Sequence, residues 1–300
     1  MTAPAPHRSL DKANLFLRVA SALVFAALFL SLLFHGTAPW AKLSCLVVLL
    51  AAAFMGVREL CLMAAKAGHR PSLLAGTAVA WLFLLHFYAE GLSPAANPLP
   101  LWLALAAGLG IVHLGGLLLR KDPVEGALAG QAVTWMAGLV LGLGLGFIQR
   151  LFMFNQTSVS NTGGRLLFAL FLVVWLGDTC AYFAGSLLGR HKLAPKVSPK
   201  KTWEGALGNL AGNLGAAFLA RALVCTDWSV VDAAAIGLLL GTAGILGDLA
   251  ESAWKRSVGV KDSAMGLEIP GHGGLLDRVD SLVFAAPALY AYVHFVHGLA

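Results

Sequence analysis

The sequence predicts an all-α, polytopic membrane protein with about nine transmembrane helices, its N-terminus cytoplasmic and its C-terminus outside. Three observations predict it. Hydrophobic residues make up 58% of the 300 residues and charged ones only 12%, about half the charged share of a soluble domain. Mean hydropathy is +0.78. Nine apolar runs, at about 15–34, 43–64, 72–90, 99–119, 127–148, 166–188, 205–224, 230–250 and 280–298, each approach the roughly 20 residues that a bilayer-spanning helix needs.

The first run is long for a signal-peptide core and lacks a small-residue cleavage site after it, so it reads as a retained helix. The fifth contains Gly138 to Gly146 (GLVLGLGLG). With no strand before it, this is helix packing rather than a phosphate-binding loop. The seventh (GALGNLAGNLGAAF) is the least apolar, a composition that suits close packing around a polar interior more than contact with lipid. The four cysteines are dispersed without a CxxC pair and read as small apolar residues, not as a disulfide framework or zinc site. His35, His86, His113, His294 and His297 stand alone on apolar helices or at their ends and read as structural.

The bases set the orientation. With the N-terminus inside, 17 of the 21 Lys and Arg fall on the inner side, leaving Lys42, Arg150, Arg165 and Arg221 outside. That split follows the positive-inside rule and supports the odd number of spans. Residues 1–150 form the N-terminal helices, a scaffold or dimer interface. Residues 151–300 carry the chemistry.

Of the 15 acidic residues, six lie between Asp248 and Ser281: Asp248, Glu251, Asp262, Glu268, Asp277 and Asp280. Lys255, Arg256, Lys261 and Arg278 are interleaved with them. Asp248, Glu251, Ser252 and Lys255 are spaced i, i+3, i+4 and i+7, which puts them on one helix face. Asp277, Asp280 and Ser281 repeat that spacing at the entrance to the last helix. Between the two, PGHGG (Pro270 to Gly274) demands a tight turn. Two acidic helix ends joined in this way suit a hard cation, and the bases suit phosphate.

Two more places carry chemistry. Asp178 sits inside the sixth run, where a carboxylate costs about 2.5–3.5 kcal/mol to insert and by default faces a polar cavity. It is expected to wall the active cavity. Next comes RHKLAPKVSPKKTWEG, in which Arg190, Lys192, Lys196, Lys200 and Lys201 accompany His191, Ser198 and Thr202, with no acid until Glu204. Pro195 and Pro199 stiffen this loop. A rigid basic loop opposite an acidic hairpin points to a nucleoside triphosphate beyond a mere topology signal.

Together these residues resemble the CDP-diacylglycerol synthase (phosphatidate cytidylyltransferase) family. The resemblance rests on Ser252-Ala-Trp-Lys255-Arg256, Lys261-Asp262-Ser263 and Pro270-Gly-His272-Gly273-Gly274-Leu-Leu-Asp277-Arg278-Val-Asp280-Ser281. It extends through Gly247-Asp248 with Glu251, Gly177-Asp178 with Tyr182, and Lys192 to Gly205, so it covers roughly 175–290. One departure is the AMGLEI between Ser263 and Pro270, about two residues longer than is usual.

The resemblance implies a Mg²⁺-dependent transfer, with one cation or two, from CTP to phosphatidic acid in the inner leaflet. Asp248 and Asp277, with Glu251 and Asp280, would hold metal. Lys192, Lys200 and Lys201 would take the triphosphate, helped by Ser198, Thr202, Glu204, Ser252, Lys261, His272, Gly273 and Gly274. Lys255, Arg256 and Arg278, with Asp178, complete the catalytic set. A homodimer in a bacterial cytoplasmic membrane, with its site facing the cytoplasm and no nucleic-acid partner, is the expected setting. The alternatives are a CTP-dependent lipid kinase, a CDP-ether-lipid synthase or, further off, a secondary transporter, whose polar groups should cluster at the midplane.

Overall fold

The structure is a computed structural model that describes residues 27, 29–31, 33–93, 99–118, 126–154, 156–157, 160–263 and 273–298. Eight helices are described along their length: α1 (Pro39–Lys66), α2 (Leu73–Leu92), α3 (Leu99–Leu118), α4 (Ala127–Phe152), α5 (Thr162–Leu188), α6 (Trp203–Leu223), α7 (Val230–Ser257) and α8 (Leu276–His297). Two short antiparallel ribbons interrupt them. One is β1 (Gln156–Thr157) with β2 (Ser160–Asn161); the other is β3 (Lys192–Ala194) with β4 (Ser198–Thr202). Each of the eight helices coincides with an apolar run read from the sequence. The first expected span, 15–34, lies mostly outside the described residues.

Six helices, α1, α2, α4, α5, α7 and α8, are long and apolar enough to cross a membrane by length and composition. Helix α6 is kept off that roll by its glycines and asparagines. Its polarity points inward, with Asn209 and Asn213 buried. Outward faces are apolar instead: Leu101, Ile111, Trp175, Leu187, Leu207 and Leu246 are all exposed, as lipid contact requires.

Small residues let the helices meet. Along α5 and α6, a Cβ added at Gly212 would lie 2.7 Å from Cys180 Cβ, and one at Gly205 3.2 Å from the Ala181 carbonyl. The glycine run of α4 packs in the same way. A Cβ at Gly138 would come within 2.8 Å of the Gly76 carbonyl, and one at Gly142 within 2.8 Å of Ala80 Cα. Backbones this close trade side-chain volume for dispersion contacts. The bundle joins α1, α2 and α4 on one side to α5, α6, α7 and α8 on the other, with α4 lying against α8. Leu141, Leu145, Leu170, Ile236, Leu240 and Leu289 fill the interior.

Polar groups fix the helix ends. Helix α7 begins with a capping box in which Ser229 Oγ accepts from the Asp232 N–H at 3.1 Å and Asp232 Oδ2 accepts from the Ser229 N–H at 2.7 Å. At this end Tyr292 of α8 donates to Asp232 Oδ1 at 2.7 Å, and Arg165 of α5 pairs with Asp227. These contacts pin α5, α7 and α8 at one end of the bundle. The candidate site lies at the other.

Candidate active site

Helix α7 runs seven residues beyond the apolar run that the sequence marks, which ends near 250. Backbone hydrogen bonding continues where hydropathy stops, and the i, i+4 pair of Glu251 and Lys255 supports the extra turns. The expected face is therefore real helix: Asp248, Glu251, Ser252 and Lys255 follow one another along it. Helix α8 is seated against it through two glycines. A Cβ at Gly247 would lie 2.6 Å from the Asp280 carbonyl, and one at Gly244 would lie 3.6 Å from Ser281 Cβ.

That seating brings Asp248, Glu251 and Asp280 together. One carboxylate oxygen of each lies within 4.8 Å of the other two. Asp277 has a different place. Lys255 donates to its Oδ1 while lying 2.5 Å from Glu251 Oε2, so this lysine bridges the two acids. Asp277 Oδ2 also accepts from Ser263 through its N–H at 3.3 Å and its hydroxyl at 3.0 Å. Of the four acids expected as metal ligands, three are thus grouped, and the fourth is held by Lys255 and Ser263. Glu251 is almost fully buried, 1% exposed.

Asp178 stands beside this group at the exposed edge of α5, where Asn209 of α6 donates to it at 3.2 Å. Asn209 is oriented in turn by Asn213, whose amide donates to the Asn209 carbonyl at 2.8 Å. Asp178 is close enough to Asp248 and Lys201 to feel both charges.

The basic loop is built on a short, bulged ribbon. Its backbone forms the β3–β4 ribbon, with Lys192 opposite Thr202 and Ala194 opposite Ser198. Thr202 caps α6 by accepting from the Gly205 N–H at 3.1 Å, so its hydroxyl is used by the backbone. Glu204 closes the ribbon onto α6. It accepts from the Arg190 N–H at 3.1 Å and the His191 N–H at 3.3 Å, and the His191 ring lies 2.6 Å away. Its own backbone N–H and then the His191 ring hold the Glu204 carboxyl down to about 2. Arg256 donates to the Val197 carbonyl at 3.3 Å and the Val260 carbonyl at 2.9 Å, pinning the ribbon tip to α7.

From this strap Lys201 reaches Asp248 as an ion pair. Lys192, Lys196 and Lys200 are exposed on it, as are Lys261 and Arg278 nearby, and Ser198 is half-buried. Ser252 is buried on α7. Gly273 has φ +81°, the left-handed conformation that glycine alone adopts freely, and Gly274 is buried beside it. His272, with Glu268 and the AMGLEI segment, lies outside the described residues.

One residue escaped the sequence reading. Glu59 of α1, 1% exposed, accepts from the Leu275 N–H at 2.8 Å, the Leu276 N–H at 2.9 Å and the Ser263 hydroxyl at 2.9 Å. The signal was there, since a carboxylate inside an apolar run demands partners. Its place in the half of the chain read as scaffold hid it.

Five carboxyl groups, Asp178, Asp248, Glu251, Asp277 and Asp280, thus gather at this end against two paired lysines, Lys201 and Lys255. Such an excess of partly buried negative charge favours a bound cation, and the donors are all carboxylate oxygens, which suit Mg²⁺. A triphosphate lying along the strap would find exposed ammonium groups beside them.

Residues 16–296 match the cytidylyltransferase family. The chain is 39% identical over 196 residues, 64% of its length and 71% of the relative's, to a phosphatidate cytidylyltransferase of Brucella suis. It is 41% identical over 152 residues, 49% of this chain and 52% of the relative, to one from Haemophilus influenzae. To one from Staphylococcus aureus it is 45% identical over 138 residues, 46% and 52% of the two chains.

Proposed function

The chain belongs to the cytidylyltransferase family, and from that premise we infer that it transfers the cytidylyl group of CTP to phosphatidic acid, giving CDP-diacylglycerol and pyrophosphate. A lipid phosphate oxygen bonds to the α-phosphorus of CTP while the bond from that phosphorus to the β-phosphate oxygen breaks. Phosphate monoesters are largely dianionic near neutral pH, their second pKa being about 6. The nucleophile therefore needs no strong general base, and catalysis consists of positioning and charge neutralisation.

The observation that carries this reading is the meeting of the Asp248, Glu251 and Asp280 carboxylates with Lys201 of the basic strap. In our proposal those three acids hold Mg²⁺, which would supply Lewis-acid stabilisation of phosphate charge. Asp277 joins the site by fixing Lys255. Lys192, Lys200 and Lys201 bind the triphosphate, assisted by Ser198, Ser252 and Lys261. Lys255 and Arg278 neutralise the lipid phosphate or the leaving group, with Arg256 steadying the strap. Thr202 and Glu204 act by shaping the strap, and Asp178 with Asn209 forms the wall beside Lys201.

The proposal also includes nine spans, a site on the cytoplasmic face of a bacterial inner membrane, and a homodimer formed through residues 1–150. The deciding experiment supplies CTP labelled at the α- or the γ-phosphate together with phosphatidic acid. Label in the lipid from α-labelled CTP alone supports cytidylyl transfer. Label from γ-labelled CTP alone makes the protein a kinase and ends this reading.

A further inference from the structure

We propose that Glu59 is a positioning residue for this reaction: a carboxylate sent from α1 that sets the first turn of α8, and with it Asp277 and Asp280, against α7. The proposal deepens the cytidylyl-transfer reading and rests on it.

The geometry is specific. Helix α8 has no side-chain cap of its own at Leu275, although the first N–H groups of a helix need acceptors. Glu59, 216 residues earlier in the chain, supplies them for Leu275, and it serves Leu276 as well. An anion is the favoured group there, because the helix dipole places partial positive charge at that end. A carboxylate offers about four lone-pair sites, so the same group also takes the Ser263 hydroxyl.

Ser263 links this anchor to the acids. Its hydroxyl lies 2.9 Å from Glu59 Oε2 and 3.0 Å from Asp277 Oδ2. It has a single proton and serves one carboxylate at a time, while its N–H stays on Asp277. Asp277 holds Lys255, and Lys255 holds Glu251 of the acidic group. Direct contacts thus run from α1 to the group that faces the nucleotide. A role limited to holding the bundle together would not require this chain, since α1 packs through Leu46, Leu49, Val57 and Leu60 in any case.

The test compares Glu59→Ala and Glu59→Gln with the unaltered protein, purified in lipid nanodiscs. CDP-lipid formation gives kcat and KM for CTP, and hydrogen exchange follows the amides of 273–280. Glu59→Ala is expected to lower kcat about 100-fold, the cost of a displacement near 1 Å, with KM for CTP within about twofold. Exchange in the first turn of α8 should quicken while α5 and α6 stay protected. Glu59→Gln, which keeps one acceptor oxygen, should fall between the two and carries the test if the alanine variant does not fold. Unaltered kcat in Glu59→Gln, or slowed turnover without faster exchange in α8, overturns the proposal. Should the unaltered protein form no CDP-lipid while exchange quickens in the variants, the transfer reading fails and the grip of Glu59 on α8 stands.

Discussion

Lys201 of the β3–β4 strap and Asp248 of α7 are ion-paired, which makes the basic ribbon and the acidic helix face two walls of one site. Lys200, its neighbour, is exposed and points to a different task. The ribbon is bulged between its two paired positions, and it presents Lys201 to the acids while Lys200 stays exposed to the solvent from which CTP arrives.

Lys201→Ala is therefore expected to lower kcat about 10- to 100-fold, the range of a hydrogen bond between charged groups. Lys200→Ala should instead raise KM for CTP with kcat largely kept. Initial rates against CTP concentration separate the two. Identical changes in both variants would show that the strap acts only as diffuse positive charge.

The acids divide in the same way. Asp248→Asn and Asp280→Asn should each remove at least ~99% of turnover, as loss of a group that neutralises transition-state charge does, and should raise the Mg²⁺ concentration needed for the remainder. Asp277→Asn leaves Lys255 with Glu251 alone, so it should cost about 2–3 kcal/mol of stability as well, below the roughly 3–5 kcal/mol for breaking a fully buried pair because Asp277 is partly exposed. Rates during Mg²⁺ titration after chelator treatment, with thermal unfolding in detergent, check both. An Asp280→Asn protein with unaltered Mg²⁺ dependence would remove Asp280 from the set.

Much of this was legible in the sequence, because hydropathy and helical spacing are local properties. The eight described helices match apolar runs, and the i, i+3, i+4, i+7 face of α7 is present as spaced. What local spacing cannot give is which carboxylate faces which cation once two helix ends meet. Asp277 and Asp280 are three residues apart on α8, yet one pairs with Lys255 and the other joins Asp248 and Glu251. That division depends on how Gly247 and Gly244 seat α8 on α7. The ribbon was hidden for a similar reason. Prolines and lysines gave stiffness and charge, but the Lys192–Thr202 pairing and the Glu204 clasp arise only when the chain returns. The Glu59 contacts span more than two hundred residues and leave no local trace beyond the oddity of an acid among apolar neighbours.

Close packing of α5 on α6 gives a test of the scaffold. A methyl group at Gly212 would meet Cys180 Cβ and Sγ, each at 2.7 Å, and the helices would have to part. Gly212→Ala should destabilise by about 1–3 kcal/mol, the usual cost of overpacking, and lower Tm in detergent. Gly215→Ala on the same helix meets nothing within 4 Å and is the matched control. It should be neutral or slightly stabilising, by up to about 1 kcal/mol from helix propensity.

Glu204 sets a pH window for the strap. Its carboxyl is held down to about 2 from the ordinary 4.5. A depressed carboxyl contributes stability that is fully present above the unfolded value and is lost as pH falls through the folded one. The clasp on Arg190 and His191 should therefore be intact at every pH above about 4.5 and open between there and about 2. Amide exchange at His191, corrected for the intrinsic rate, should show that step, and Glu204→Gln should shift it out of the acid range. A step near pH 6 that survives in Glu204→Gln would assign the clasp to another group.

Orientation is the remaining expectation with a direct consequence for chemistry, because CTP is available only inside the cell. The two ends of the bundle can be marked independently. Lys196 is exposed at the turn of the strap, and Thr226 is exposed between α6 and α7 at the end that carries Asp227 and Asp232. Of the native cysteines, Cys45, Cys61 and Cys225 are buried and Cys180 is partly so, and all four can be replaced by Ala to clear the background. Lys196→Cys should then resist a membrane-impermeant maleimide in intact cells and react once the membrane is opened. Thr226→Cys should react in intact cells. The positive-inside rule demands this polarity, since the strap with Arg190 just before it carries five of the 21 bases. The reverse pattern would put the acidic group and its lysines on the side without nucleotide, and no arrangement of Asp248, Glu251 and Asp280 could then perform the transfer.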